Sequence, residues 1–317
     1  FFLDLFYDLS AELEINFSPK SGYFMNRALN DEQIEDFWKN GYLAVENAVT
    51  ADQLSKLKAE IFEWVEESKN YSEPYGQPTV DGRPRFDMGT EHTAENPALR
   101  RVNNPSDISA VYYEVMSDSR MVDMISDLIG TNIKFHHCKI NLKCPGGHTI
   151  VHYHQDFAFT PHSNDDVVTA LLMLDEVTEE NGCLMVVPCS HKGKMYSLYE
   201  DGNFVGRVSD KVESKLAAKQ VPVLGKPGDV CLMHTRLAHG SAANHSDKPR
   251  GLYICVYTAA DAVPLARNPM PSLNEGKIVR GQAVTSARMI DFEVELPQQP
   301  KSASFFTVQG QDSAEGT

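Results

Sequence analysis

The stretch VHYHQDF, residues 151–157, sets His152, His154 and Asp156 at alternate positions inside strand-like sequence. Successive strand residues point to opposite faces, so an extended chain sends all three ionisable side chains to one face. Such groups are expensive to bury without partners. That face therefore looks either at water or at something that repays the desolvation. For an isolated His-x-His-x-Asp, a solvated polar stripe and a metal site stand level, and the rest of the chain must separate them.

The surroundings are β-rich. From about residue 132 the runs IKFHHCKINLK, IVHYHQDFAF, VVTALLML, CLMVVP, DVCLMHT and GLYICVYTAA follow one another, separated by Gly, Pro, Asn and Asp. Short apolar or alternating runs with turn residues between them predict a β-sandwich or barrel rather than βαβ units. In front of them, NDEQIEDFWKNG opens with a capping-box pattern from Asn30 to Gln33 and stops at Gly41. TADQLSKLKAEIFEWVEE opens with a second, Thr50 to Gln53, and keeps Leu54, Leu57, Ile61, Phe62 and Val65 at helical spacing. Trp38 and Trp64 read as packing residues of these helices. Residues 71–106, rich in Pro, Gly and charge, read as one long irregular excursion. SDSRMVDMISDLIG reads as another amphipathic helix, closed by Gly130. The expected organisation is one domain over 1–317, mainly β with flanking helices. It has a helical front part and long loop to residue 131, a β-core over 132–262, and an extension over 263–317 with a loose polar end beyond about Pro300.

Composition narrows the function. Over 317 residues the chain is 42% hydrophobic and 23% charged, with a formal charge of −15. An acidic surface disfavours nucleic acid and anionic membranes as partners. No apolar run approaches the ~18 residues of a membrane span. The opening FFLDLFYDLSAELEINF is interrupted by Asp4, Asp8, Glu12 and Glu14, with no basic segment before it, which argues against a signal peptide. Six cysteines without a CxxC pair predict free thiols in a reducing compartment, and a cytoplasmic location is the expectation.

A second region tips the balance towards metal. HTRLAHGSAANHSDKPRG carries His239 about 85 residues after His154, directly behind another strand-like run. A His-x-Asp joined by a distant His makes a set of two histidines and one carboxylate, which suits Fe(II) and leaves coordination positions open. Arg250, eleven residues further on where the next strand begins, has the planar fork needed to grip a carboxylate at two points.

With these residues in hand, the chain resembles the phytanoyl-CoA dioxygenase family of Fe(II)/2-oxoglutarate oxygenases, which includes the ectoine hydroxylases. The resemblance runs in matching order over roughly residues 29–260, through LNDEQIEDFWKNGYLAVENAVTADQLSKLKAEI, LRRVNNP, HYHQDF, ENGCLMVVPCSHKG and KPGDVCLMHTRLAHGSAANHSDKPRG. It implies a double-stranded β-helix, the jelly-roll core shared with cupins, flanked by helices. It assigns the metal to His154, Asp156 and His239, and the far carboxylate of the 2-oxoglutarate cosubstrate to Arg250 with Ser241 beside it. The strand HHCKINLK resembles a family strand that also touches the cosubstrate, with Asn141 the better match and His137 the weaker. The implied reaction uses O2 and 2-oxoglutarate to hydroxylate an aliphatic C–H, releasing succinate and CO2. Asp156 favours hydroxylation over halogenation, because halogenating relatives carry a small residue there. In one departure, Cys189 stands where the family has a turn glycine, so that turn is expected to rearrange.

Other readings compete. Gly146 to His154 fits the G-x5-H-x-H opening of a cupin, but Ala158 and Phe159 occupy the places of the cupin carboxylate. A non-catalytic jelly-roll binding protein would not need the intact set with Arg250. For the substrate, Phe157 or Phe159 is a candidate wall, and Arg236, Arg280 and Arg288 are candidate anion contacts, the last two in a segment that could cover the barrel mouth. His152 is either a spare near the metal ligands or a surface histidine. A small polar metabolite, an amino acid or its derivative, is the expected substrate, with an acyl-CoA or other lipid-like molecule as the alternative.

Overall fold

The two capping boxes start their helices as their spacing predicts. The computed structural model describes residues 27–298 and Gln309; the apolar opening segment and, Gln309 apart, the expected loose tail lie outside the described residues. Asn30 caps α1 (Asp31–Asn40) and Thr50 caps α2 (Ala51–Ser68), each with the reciprocal bond from Gln33 or Gln53. Gly41 ends α1 at φ 85°, where a Cβ would collide with His191 Nδ1. The chain then enters β1 (Tyr42–Val45).

Residues 71–106 differ from the expected irregular excursion, because they contain β2 (Phe86–Met88) and β3 (Leu99–Asn103). Arg101 and Asn103 pair in register with Asn141 and Lys139 of the neighbouring strand. The Arg101 side chain stays buried because that sheet face borders a cavity, and this is what disguised the strand as a charged loop.

Two helices follow, α3 (Ala110–Ser117) and α4 (Arg120–Ile129), and then the β-rich region. Its strands are β4 (Ile133–Lys143), β5 (Val151–His154), β6 (Val167–Met173), β7 (Leu184–Val186) and the short hairpin β8 (Tyr199–Glu200) and β9 (Asn203–Phe204). After α5 (Asp210–Ala217) come β10 (Val221–Val223), β11 (Val230–His234), β12 (His239–Ser241), β13 (Arg250–Ala259) and β14 (Ile278–Arg280). The larger sheet runs β1-β11-β6-β13-β4-β3-β2, with β14 added on β4, and the smaller runs β10-β7-β12-β5. Among the described residues, every strand pairing within them is antiparallel.

Alternation sorts the larger sheet's side chains into two layers. Tyr253, Cys255 and Tyr257 of β13 face the helices, where the two tyrosine hydroxyls donate to Tyr112 O and Met116 O of α3 at 2.9 and 2.8 Å. Leu252 and Ile254 face the other way and pack with Leu171 and Met173 against Leu184, Val186 and Val223 of the smaller sheet. A strand covered on both faces loses its polar alternation, which is why GLYICVYTAA reads as one continuous apolar run. Trp64 packs on Phe86 and Tyr112, in keeping with a structural role. Two facing antiparallel sheets with helices over the larger one make the double-stranded β-helix that the sequence leads one to expect. All six cysteines are free, and no helix among the described residues is long and apolar enough to cross a membrane.

Candidate active site

A cavity of about 120 Å³ opens between the two sheets, and His154, Asp156 and His239 meet in its wall. His154 ends β5 and His239 begins β12, as direct register partners of one antiparallel pair. Asp156 opens a turn of 3₁₀ helix, Asp156–Ala158, just past the strand. Its Oδ1 lies 3.4 Å from His154 Nε2 and 3.6 Å from His239 Nε2, and one ligand atom from each residue falls within 4.8 Å of the others. Both rings are fixed from behind, with His154 Nδ1 on His152 O at 2.8 Å and His239 Nδ1 on Leu237 O at 2.9 Å. A bond to a carbonyl requires the proton on Nδ1, so Nε2 is the nitrogen that each ring turns to the centre. Thr169 Oγ1 donates to Asp156 Oδ2 at 2.8 Å and turns the other oxygen inward. Burial alone would raise the Asp156 carboxyl, but His239 and then His154 outweigh it and hold it far below the carboxylate range. His239 is pushed down to about 4 by burial and then by His154, so it stays neutral. Two imidazoles held by backbone carbonyls and an ionised carboxylate, buried and turned to one point, fit a divalent metal ion.

The shared face expected for His152, His154 and Asp156 is not what forms. On β12 the step from His239 to Ser241 spans two residues, while on β5 the matching step from His154 to Val151 spans three. The extra residue is a β-bulge, which breaks the alternation. Val151 and His154 therefore both line the cavity, and His152 turns away to Glu213 of α5 at 3.2 Å. Bulges re-aim side chains where a site needs it.

The same cavity reaches Arg250, the first residue of β13. It lies directly opposite Lys143 of β4, and both are buried. Like charges facing each other across a ladder are destabilising. Lys143 Nζ donates to Ser241 Oγ at 2.8 Å and to Ala242 O, and Arg250 Nη2 donates to Gly182 O at 2.9 Å. Arg250 Nε is buried and finds no hydrogen-bond partner among the described residues. Paired buried cations with an unsatisfied donor fit the carboxylate end of a dicarboxylate such as 2-oxoglutarate.

The remaining expectations sort by position. Asn141 and His137 line the cavity, Asn141 Oδ1 accepting from Arg101 Nε at 3.0 Å and His137 Nδ1 sharing a proton with His136 Nδ1 at 2.7 Å. Phe159 forms part of the wall, edge-on to His154, whereas Phe157 packs on Val167, Val256 and Phe292 in the core. Three arginines offered as anion contacts lie outside the cavity walls. Arg236 pairs with Asp165 at 2.8 Å, Arg280 with Asp123 at 2.7 Å, and Arg288 with Asp261 at 3.1 Å. Pro269 and Met270, not the arginine-bearing segment after them, reach the cavity. Cys189 does not rearrange its turn but adopts the left-handed conformation itself, at φ 65°. Thr169, Lys143, Lys139 and Arg101 were not anticipated. For Lys139 and Lys143 a signal existed, since His137, Lys139, Asn141 and Lys143 recur every second residue and so share a strand face.

A double-stranded β-helix with two histidines and a carboxylate in its mouth is the architecture of the non-haem iron oxygenases. Comparison with known proteins narrows the class. The family model for phytanoyl-CoA dioxygenase matches residues 37–252, and the chain belongs to that family. It is 32% identical over 277 residues to a probable alpha-ketoglutarate-dependent hypophosphite dioxygenase of Stutzerimonas stutzeri, covering 84% of this chain and 91% of the relative. It is 28% identical over 225 residues to a 2-aminoethylphosphonate dioxygenase of the uncultured bacterium HF130_AEPn_1, covering 69% and 78%. Among solved structures, EctD from S. alaskensis with 2-oxoglutarate and 5-hydroxyectoine shares the fold at a TM-score of 0.59 and 23% identity, over 76% of this chain and 80% of that one. The protein is a 2-oxoglutarate-dependent non-haem iron dioxygenase, and its cofactors are Fe(II) and 2-oxoglutarate.

Proposed function

We propose that this dioxygenase hydroxylates an aliphatic C–H of a small polar metabolite, an amino acid or a derivative of one. His154, Asp156 and His239 hold the iron, and Arg250, with Lys143 and Ser241 beside it, receives the far carboxylate of 2-oxoglutarate. The observation that carries this reading is the meeting of three oriented ligand atoms within 4.8 Å in the same cavity as the buried Arg250. When bound, iron and 2-oxoglutarate supply the oxidising power, with succinate and CO2 as the cosubstrate's products. The chain's own part is positional. The backbone carbonyls of His152 and Leu237 keep the two imidazoles in the ligating tautomer, and Thr169 fixes the carboxylate. Phe159 and Phe204 wall the cavity beside the triad and exclude water from it. Relatives named for hypophosphite and 2-aminoethylphosphonate support a small polar substrate, while relatives named for phytanoyl-CoA stand behind the acyl-CoA alternative. We also propose that the β-core and its flanking helices act as one oxygenase unit.

The test needs no knowledge of the substrate. Protein reconstituted anaerobically with Fe(II) and then given 2-oxoglutarate and air should form succinate, and Asp156→Ala should lose both iron binding and succinate formation. Arg250→Ala should retain iron yet need at least about tenfold more 2-oxoglutarate, the range expected when a charge-assisted hydrogen bond is removed. Failure of folded wild-type protein to bind iron would overturn the assignment of the triad. An unchanged 2-oxoglutarate requirement in Arg250→Ala would overturn that of the arginine.

A further inference from the structure

We infer that Gln309 is a positioning residue of the iron site, holding the backbone of β5 at His152 so that the His152 carbonyl aims the ring of His154. This inference rests on the reading of His154, Asp156 and His239 as the iron ligands, and it names what keeps one of them in place.

The bulge in β5 displaces backbone groups from the ladder. The register partners of β12 on this strand are Val151 and His154, which leaves His152 and Tyr153 between them. Among the described residues β5 also ends the smaller sheet, so its outer edge meets no further strand. Backbone N–H and C=O groups in this position need other partners. Tyr153 O accepts from Val208 N at 2.9 Å, in the loop ahead of α5. For His152 one side chain does what a neighbouring strand would do. Its N–H donates to Gln309 Oε1 at 3.1 Å, and its carbonyl accepts from Gln309 Nε2 at 3.4 Å. Gln309 Nε2 also donates to Gly206 O at 2.9 Å, in the segment between β9 and α5. An amide offers two N–H donors and an oxygen acceptor, and the three bonds use all of them. With one N–H and two carbonyls as partners, the amide fits only one way round. Gln309 is 4% exposed, so water competes little for these bonds.

The same carbonyl orients the metal ligand. His152 O accepts from His154 Nδ1 at 2.8 Å, the bond that turns Nε2 of that ring to the centre. The direction of a carbonyl follows its rigid peptide plane, and only the dihedral angles on either side can turn that plane. The N–H and C=O of His152 belong to the two planes that flank this residue. By binding both, Gln309 fixes the backbone of His152 inside the bulge, where the ladder with β12 does not. Groups that stand behind a metal ligand set its orientation and so the affinity of the site. The effect is confined to one imidazole, because His239 takes its carbonyl from Leu237. It also belongs to the backbone of His152 and not to its side chain, which turns to Glu213.

The test is anaerobic titration of the full chain with Fe(II), in parallel with amide hydrogen exchange of the metal-free protein. Gln309→Met keeps the length and bulk of the side chain and removes all three bonds. It should weaken Fe(II) binding about 10-fold, the lower end of the range typical for groups behind a metal ligand. Exchange should quicken in the peptide that carries His152 and Tyr153. Gln309→Ala should lose iron by a similar factor, because the bonds and not the bulk are at issue. Tyr199→Phe is the control. It removes the bond from the Tyr199 hydroxyl to Leu296 O at 2.6 Å, another tie between the segment after β14 and the rest of the fold. At a site remote from the triad, its Fe(II) affinity should stay within about twofold of wild type. The inference fails if either Gln309 variant binds Fe(II) as the wild type does, or if exchange around His152 is unaltered. It also fails if Tyr199→Phe loses as much iron, which would make the loss one of general loosening. Folded wild-type protein that binds no Fe(II) would instead sink the triad itself, so the two failures are distinguishable.

Discussion

One hydroxyl, that of Thr169, decides which oxygen of Asp156 faces the two imidazoles. Partners behind a metal ligand typically set 10- to 100-fold of metal affinity. Thr169→Val should therefore weaken Fe(II) binding by about that factor while the fold persists, measured by anaerobic titration, and an unchanged affinity would remove Thr169 from the site. Cys189 poses the reverse case at this scale. A left-handed φ costs an ordinary residue about 1–2 kcal/mol, and its backbone is anchored there by a bond from Cys189 N to Asn40 O at 2.8 Å. Glycine removes the strain but gives back about 0.5–1 kcal/mol in chain entropy. Cys189→Gly is expected to raise stability by about 0.5–1 kcal/mol in urea unfolding, and a lower midpoint would show that the thiol contributes contacts worth more than the strain.

Among the elements, β5 carries the most chemistry in the fewest residues. Period-two logic put His152, His154 and Asp156 together, and the bulge between Val151 and His154 separated them. The ladder with β12 imposes that bulge, and no local propensity in VHYHQDF announces it. His152 is consequently an exposed-side partner of Glu213, and such half-exposed pairs contribute little. His152→Ala should leave Fe(II) affinity within about twofold and cost less than about 1 kcal/mol. A tenfold loss of iron would mean that the side chain swings back to the metal. β3 teaches a related lesson. Its arginines and asparagine resembled a loop because pattern rules expect buried strands to be apolar, and a strand bordering a cavity is exempt.

For the molecule as a whole, the interior holds several imidazoles that burial keeps neutral. His136, His137 and His162 form one buried cluster, with ring centroids 4.9 and 5.1 Å apart. Burial, ahead of neighbouring charges, pushes His137 to about 3 and His162 to about 4, and holds His136 well below its ordinary value. Unfolded histidine titrates near 6.5. Between that value and about 4 the unfolded chain binds protons that the native one refuses, so stability falls as pH falls. Each such histidine contributes about 1.4 kcal/mol per pH unit across that window. Urea midpoints of the metal-free protein should be level from pH 8 to 7 and drop clearly by pH 5. A flat profile would mean that the cluster is protonated in the native state.

The sequence by itself determined the fold class, the helix starts, the two histidines and aspartate of the proposed iron site and the position of Arg250. These are written in local terms: capping spacings, runs bounded by turn residues, and motifs whose chemistry dictates residue type. Tertiary structure alone decided that His152 leaves the site, that Arg236, Arg280 and Arg288 are taken by Asp165, Asp123 and Asp261, and that Arg101 and Lys139 share a wall. Each of those outcomes turns on which strand lies beside which and in what register. Arg101 and Lys139 are 38 positions apart in the chain, and only the ladder between β3 and β4 makes them neighbours.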